Sequence, residues 1–434
     1  MYLTTSRKTP EIRTGPGVRA RAGRIGANVL ALGIVSMVTD VSSEMVTAVL
    51  PLYLVAGLGL SPLQFGFLDG LYTGMTALLR LAGGHLADRW QRRKAVACAG
   101  YAISAASRLA LYAAGSSVPA LGAALAADRA GKGLRTAPRD ALIALSAPPD
   151  QLGRAFGVHR ALDTTGAMLG PLAAFGLLTA TAGAYDSVFV VSTCVGVLGV
   201  VLLVLFVRDQ RRPVPAAGAV SPAAALALLA AAPFRRLCLA AIVLGLATIS
   251  DAFLYLLLRQ EFGLPAQYFP LLPLGTAASY LLLAVPFGRL ADRIGRRTMF
   301  LAGHGALLAA YGVLLWPRSG TGTWTTFEQW PRTSPAVYAA GAAVLLLHGI
   351  FYAATDGVLM AAAGTLLPAH LSGSGMALLQ TGQALARLCA SVAFGALWTL
   401  WAARSALAAA ALALALAAGI AVLLLPRTPP KDRL

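Results

Sequence analysis

The stretch Gly84-His-Leu-Ala-Asp-Arg-Trp-Gln-Arg-Arg-Lys94 returns 204 residues later as Gly288-Arg-Leu-Ala-Asp-Arg-Ile-Gly-Arg-Arg-Thr298, with seven of eleven positions identical. Each copy is a short basic run between two long apolar stretches, the second and third of its half. A weaker echo sets Thr39-Asp40 in the first apolar stretch against Ser250-Asp251 in the seventh. A chain that repeats itself in this way is built as two like halves, with six apolar stretches in each.

The 434 residues are 58% apolar and 12% charged, against about 45–50% and 25% in ordinary soluble domains. With a mean hydropathy of +0.72, too few polar side chains remain for a water-facing shell. A soluble enzyme, a disordered chain and a disulfide scaffold are excluded. At ~20 residues per crossing, twelve spans use about 240 residues and leave short connections. The net charge of +18 would suit a nucleic-acid binder, but its placement argues against that partner. Arg7, Lys8, Arg13, Arg19, Arg21 and Arg24 precede the first span, and further clusters stand at 89–94, 208–212 with 235–236, 289–297 and 427–433. The alternate connections carry only Arg259, Arg318, Arg332 and Arg404. Every second connection being basic is the positive-inside pattern, which predicts both termini in the cytoplasm of a bacterial cell and a multi-pass chain in its inner (plasma) membrane.

The apolar blocks predict spans at 28–55, 63–86, 95–115, 118–144, 153–178, 187–207, 237–259, 268–288, 299–316, 336–364, 374–400 and 403–425. The domain organisation is then a basic tail (1–27), a six-helix half (28–207), a cytoplasmic linker (208–236), a second six-helix half (237–425) and a short tail (426–434). The linker rests on Pro213, Pro215, Gly218, Pro222 and Pro233 set among five arginines. Residues 317–335 form the longest outside loop, where Trp324 and Trp330 can anchor at headgroup level. Cys98, Cys194, Cys238 and Cys389 stand singly in apolar runs and read as small buried hydrophobes. The Arg-rich, acid-poor start loosely resembles a transit peptide, yet a full span follows it with no cleavage-type region, so it reads as a retained tail.

The repeated G-x-L-A-D-R-x-G-R-R-x resembles the signature loop of the major facilitator superfamily; the second copy matches it throughout and the first departs at Gln91. Leu125-x3-Arg129-x3-Gly133 resembles the fourth-helix arginine motif of that superfamily, with Ala137 in place of its last glycine. Gly166-x3-Gly170-Pro171 resembles the fifth-helix motif associated with antiporters, cut short by Ala173 and Ala174. Asp128-Arg-Ala-Gly-Lys-Gly-Leu-Arg-Thr-Ala-Pro-Arg-Asp140 and Gly153-Arg-Ala-Phe-Gly-Val-His-Arg-Ala-Leu-Asp163 resemble a prokaryotic permease branch. The resemblance covers residues 28–425. It implies an all-α fold of twelve membrane helices in two pseudo-symmetric halves. It also implies a gating latch built from Gly84, Asp88, Arg89 and Arg92 in one half and Gly288, Asp292, Arg293 and Arg296 in the other.

The physics beside that resemblance is direct. Asp88 and Asp292 can accept from nearby arginines or sit at a helix N-terminus, and carboxylates are not needed for positive-inside sorting. A latch therefore explains them better than topogenic charge does. Gly166 and Gly170 let another helix approach closely and Pro171 can bend the span, so ordinary packing explains this motif as well as an antiporter role does.

Charges inside spans are the richest signal, because each costs roughly 2.5–3.5 kcal/mol at the membrane centre unless paired or wetted. Asp40 and Glu44 stand one helical turn apart on one face. Together with Arg129, the natural partner on the fourth span, and Asp251, their counterpart in the second half, they are the predicted substrate and proton-coupling residues. Asp69, Arg80, Arg108 and Asp128 are further intramembrane charges. Lys132, Arg135, Arg139, Asp140, His159, Arg160, Asp163, Asp356 and Arg387 are the predicted polar network, since charges of both signs crowd between 128 and 140 and can neutralise one another. His85, His159, His304, His348 and His370 show no H-x3-H spacing, and no M-x3-M pair occurs, so neither a metal site nor a cofactor is expected. Gly131-Lys-Gly lacks the spacing of a phosphate-binding loop, which removes ATP as the energy source.

Duplicated halves around a central site suit a secondary carrier. The prediction is a monomeric exporter of a small solute, working by alternating access and driven by proton entry, and not an enzyme. Proton-symport uptake and export of metal ions or siderophores are the alternatives within carriers. A channel is disfavoured by twelve spans in two like halves, and a membrane-embedded enzyme by the lack of H-E-x-x-H or G-x-S-x-G.

Overall fold

The computed structural model describes residues 26–75, 92–148, 151–209, 226–316, 335–368 and 371–425. The predicted tails, most of the linker, the 317–334 loop with Trp324 and Trp330, and the first copy of the repeat from Gly84 to Gln91 lie outside the described residues.

The first half runs α1 (Ala27–Leu52), α2 (62–75), α3 (Arg93–Ala113), α4 (Val118–Leu145), α5 (Leu152–Ala180) and α6 (Tyr185–Phe206). The second runs α7 (Ala232–Ala247), α8 (Asp251–Phe262), α9 (Leu272–Ile294), α10 (Arg296–Leu315), α11 (Pro335–Gly364), α12 (Ser372–Trp401) and α13 (Ala403–Leu424). Among the described residues ten helices are long and apolar enough to cross a membrane, with α7 and α8 counted together. The 28-residue α4 is long enough but carries Asp128, Arg129, Lys132, Arg135, Arg139 and Asp140, which keeps it out of that count; Asp128, Arg129 and Arg135 are buried against neighbouring helices. Bulky residues of the other helices, such as Leu198, Leu282 and Leu423, are exposed on the outside of the bundle, as a lipid-facing surface requires.

The packing repeats with the sequence. In the first half α1 lies against α5 and α6, and α3 against α4 and α6; in the second, α7 lies against α12 and α13, and α10 against α11 and α13. A matching device ties each half together at one end. Lys94 in the first turn of α3 donates to the Val204 carbonyl near the end of α6 at 2.9 Å, and Arg297 in the first turn of α10 donates to the Val422 carbonyl near the end of α13. A cation on a helix C-terminus satisfies orphan carbonyls and opposes the helix dipole.

Three boundaries differ from the spans predicted. The seventh span is broken: α7 ends at Ala247, and Ser250 starts α8 afresh by accepting from the Phe253 amide at 3.4 Å. The first span ends in a π-helical turn (Tyr53–Gly57) just after Pro51, whose missing N–H loosens the regular ladder. The repeat segment 288–294 is not a loop but the last turns of α9, and the chain turns at Gly295, where φ is +94°. An L side chain is strained at that angle, so the glycine at this motif position is a backbone requirement.

Candidate functional site

Two adjoining cavities of ≈ 520 and ≈ 480 Å³ share Thr73, Thr248, Tyr352, Asp356 and Arg387; the smaller lies between the halves, and the larger is walled by the second half together with Thr73. Their charged lining is Asp69 from α2, Asp251 from α8, Asp356 from α11 and Arg387 from α12. The break before α8 is what brings Asp251 there: the Ser250 cap puts the carboxylate in the first turn, where the helix dipole favours an anion. Tyr352 donates to both Asp251 oxygens at 2.6 and 2.8 Å. His348 Nε2 stands 3.3 Å from the same carboxylate, and its Nδ1 is 3.2 Å from Thr276 Oγ1. Asp69, from the opposite half, accepts from Ser391 at 2.7 Å. The cavity wall thus holds three carboxylates, one guanidinium and the hydroxyls of Thr47, Tyr72, Tyr255 and Tyr280 on an otherwise largely apolar surface.

One end of this space is shut. Phe253 of α8 meets Phe65 of α2 and Phe394 of α12 at ring-centroid separations of 4.9 Å, with Trp398 at 5.7 Å. Here α2 and α12 approach so closely that a Cβ on Gly70 would meet the Leu388 backbone. Phe175 of α5 packs on Tyr268 of the short 3₁₀ segment before α9, at 5.6 Å. These aromatic contacts join residues that fall on the predicted outer side of their spans.

The first half holds a second polar cluster. Asp40 pairs with Arg135 at 3.5 Å, and not with the partner predicted for it, Arg129. Arg129 instead binds its chain neighbour Asp128 and lies 3.8 Å over the Tyr72 ring, while Glu44 is near enough to Arg129 and Lys132 for their charges to interact. Asp163 accepts from Ser36 at 2.8 Å and pairs with Arg139 at 3.7 Å and Arg160 at 3.4 Å; Arg139 also reaches Asp140 at 3.0 Å. His159 is buried beside this cluster and neither ring nitrogen finds a partner. Arg108 donates to Ser42 at 2.6 Å and Ser43 at 2.7 Å, closing α3 on α1. Asp251 lines one of the two cavities described, and Asp40 and Glu44 line neither of them.

Among the latch residues, Gly84, Asp88 and Arg89 lie outside the described residues, and Arg92 directly precedes α3. Asp292 sits 3.8 Å from Arg296, both in water-accessible positions, and Arg296 also donates to the Ala361 carbonyl of α11 at 2.8 Å. Gly288 and Arg293 fall within α9. Gly166 and Gly170 are where α5 meets α1: a Cβ on Gly170 would stand 2.6 Å from the Glu44 Cβ, and Pro171 lies inside the same helix. Of the cysteines, Cys238 is buried and Cys98 partly so, but Cys194 and Cys389 are exposed, contrary to expectation. Sequence reasoning passed over His348 and Tyr352. Their spacing of four puts both on one face of α11, which is the signal that could have found them.

A family model described as Major Facilitator Superfamily matches residues 32–327 and 237–434. An uncharacterized MFS-type transporter of Methanocaldococcus jannaschii is 28% identical over 387 residues, 86% of this chain and 89% of that one. An uncharacterized protein of Mycobacterium bovis is 36% identical over 185 residues, 43% of this chain and 45% of that protein. Among solved structures, the nucleoside transporter NupG superposes with a TM-score of 0.75 at 13% identity, over 92% of this chain and 99% of that one. A bacterial homolog of the human lysosomal transporter Spinster, in an inward-facing and unoccupied conformation, gives 0.68 at 15% identity, over 92% and 98%. At such identities the likeness is one of fold.

Proposed function

Since the chain belongs to the Major Facilitator Superfamily, we propose that it is a proton-coupled antiporter that exports a small organic solute by alternating access. That it is a multi-pass membrane transporter of a small molecule, and not an enzyme, follows from the family. The finer reading puts it in the plasma membrane as a monomer, with both termini and the 208–236 linker in the cytoplasm. The shut end at Phe65, Phe253 and Phe394 is then the outer one, and the cavity takes solute from the cytoplasm. The substrates named for the structural neighbours are not carried over, since the likeness is one of fold.

The observation that carries the proposal is the cavity between the halves, with Asp69, Asp251 and Asp356 beside Arg387 on its wall. A carboxylate on a cavity wall binds either a proton or a polar group of the solute, and rejecting one on binding the other is the logic of exchange. The half-buried carboxylates of the first half, Asp40 and Glu44, remain the residues proposed to couple the proton, with Asp251 in the second half and Arg129 as a neighbour of Glu44. Asp292 and its counterpart Asp88 are proposed to control the exchange between faces.

The test uses the purified chain in liposomes with an acidic lumen and a lumenal pH dye. A panel of small amines, nucleosides and short peptides is added outside. Antiport raises the lumenal pH as solute enters and protons leave, whereas symport lowers it further. Acidification, or solute entry with no saturation, would overturn the exporter.

A further inference from the structure

We propose that Asp40 of α1 and Asp163 of α5 form a single proton-binding site within the first half, apart from the solute cavity, with one proton held between the two carboxyl groups. Its use in transport rests on the proton-coupled reading above; the binding of the proton does not.

The two carboxyl groups lie within hydrogen-bonding reach of each other. Neither carboxylate can donate, and two negative charges at that separation repel, so the contact is stable when one group carries a proton. The rest of the site is built around this arrangement. Ser36 donates to Asp163 at 2.8 Å, Arg135 stands 3.5 Å from Asp40, and Arg139 stands 3.7 Å from Asp163. The side chains of Asp40 and Asp163 are only 13% and 19% exposed. These guanidinium groups stabilise one negative charge and repel any metal cation, which leaves a proton as the fitting ligand.

A second, independent observation lies in the groups around the pair. His159, 4% exposed, has both ring nitrogens unpartnered, and Arg135, 2% exposed, has an unpartnered Nη1. Buried polar atoms are nearly always satisfied, so these three unpartnered donors and acceptors beside the pair are exceptional. The charged and titratable groups facing the pair are Lys132, Arg135, Arg139 and Asp140 from α4, and His159 and Arg160 from α5. From α3 the Tyr101 ring lies under Arg135 at 4.5 Å, α1 adds Glu44 one turn on, and α6 carries its carboxylate, Asp186, in its first turn at the far end.

The pair sits on the interface where α1 and α5 are in closest contact, at Gly166 and Gly170. The same α1 supplies Thr47, Ala48 and Pro51 to the cavity wall, about two turns further on. Proton loss places two like charges across the α1–α5 seam, and the strain is passed along α1 to the cavity. Coupling through a shared helix needs no contact between proton and solute.

The full-length chain is tested without any solute, by infrared difference spectra between acid and alkaline pH. The protonated-carboxyl component removed by Asp40→Asn is expected to vanish also in Asp163→Asn, and to survive in Glu44→Gln. A component that Asp163→Asn leaves unmoved overturns the shared site. If the amide variants do not fold, Ser36→Ala keeps both carboxyls and removes one hydrogen bond, so the band must shift; an unshifted band overturns the proposal. A chain that keeps this band but moves no protons in the liposome assay disproves antiport and leaves the proton site standing.

Discussion

Arg135 is held on two sides, 3.5 Å from Asp40 and 4.5 Å above the Tyr101 ring, and its side chain is 3% exposed. Arg135→Ala strips a buried carboxylate of its cation, a change that typically costs about 3–5 kcal/mol. Arg160 also touches the cluster, through Asp163, but its side chain is 78% exposed. Arg160→Ala is expected to cost no more than about 1 kcal/mol, as solvent screens the pair. Thermal melts of the two variants in detergent separate these outcomes, and equal losses would mean that the Asp40–Arg135 pair is not buried in the folded protein. At this scale the charged residues were legible, because the bilayer makes each one expensive. Their partners were not. Charges of both signs along α4 suggested a network without naming its pairs, and Arg135 reaches across to α1. Which of Arg129 and Arg135 meets Asp40 depends on how α4 is rotated against α1, a property of the packed pair that neither helix's own pattern contains. His348 was opaque for the same reason, since its meaning comes from Asp251 on another helix.

At the scale of the element, the seam between α1 and α5 makes a sharper test of the motif at 166–171. A Cβ on Gly166 would stand 2.9 Å from the Met37 Cα, with backbone and not a flexible side chain in the way. Gly166→Ala is expected to cost about 1–3 kcal/mol as overpacking. Gly176, on the same helix, has nothing within 4 Å of its Cβ position, and Gly176→Ala should stabilise α5 by roughly 0.5–1 kcal/mol. Denaturant titrations of both variants check this. A Gly166→Ala protein as stable as the parent that has lost only proton exchange would give the motif a chemical role beyond packing. Helix existence and order were legible from the apolar blocks, whereas the ends were set by single residues. Ser250 restarts the seventh span as a cap, Pro51 precedes the π turn of the first, and Gly295 moves the turn of the repeat segment beyond Asp292.

For the whole molecule, the repeat between 84–94 and 288–298 already contained the two halves, and the matching pairs α1–α5 with α7–α12 and α3–α4 with α10–α11 bear it out. Where the halves meet was not legible, because that depends on aromatic faces brought together from α2, α8 and α12. In the proposed function, the latch and the aromatic closure act on opposite ends of the same rocking motion. The Asp292–Arg296 pair is 3.8 Å apart and exposed, so it adds little to stability. Asp292→Asn should therefore slow transport while leaving the melting temperature unchanged and solute affinity within a few-fold; a loss of binding with normal exchange between faces would contradict the latch. The closure is tested by access. In a chain whose four cysteines are replaced, Thr248→Cys places one thiol on the cavity wall shared by both spaces. A membrane-impermeant thiol reagent should label it quickly from the cytoplasmic face and slowly from outside, because Phe65, Phe253, Phe394 and Trp398 seal that route. Adding Phe253→Ala removes the ring all three others touch, and outside labelling should then rise by an order of magnitude or more while cytoplasmic labelling falls as the halves rock the other way. Fast labelling from outside in the parent, with no change on losing Phe253, would place the gate elsewhere and reverse the orientation assigned to the two ends.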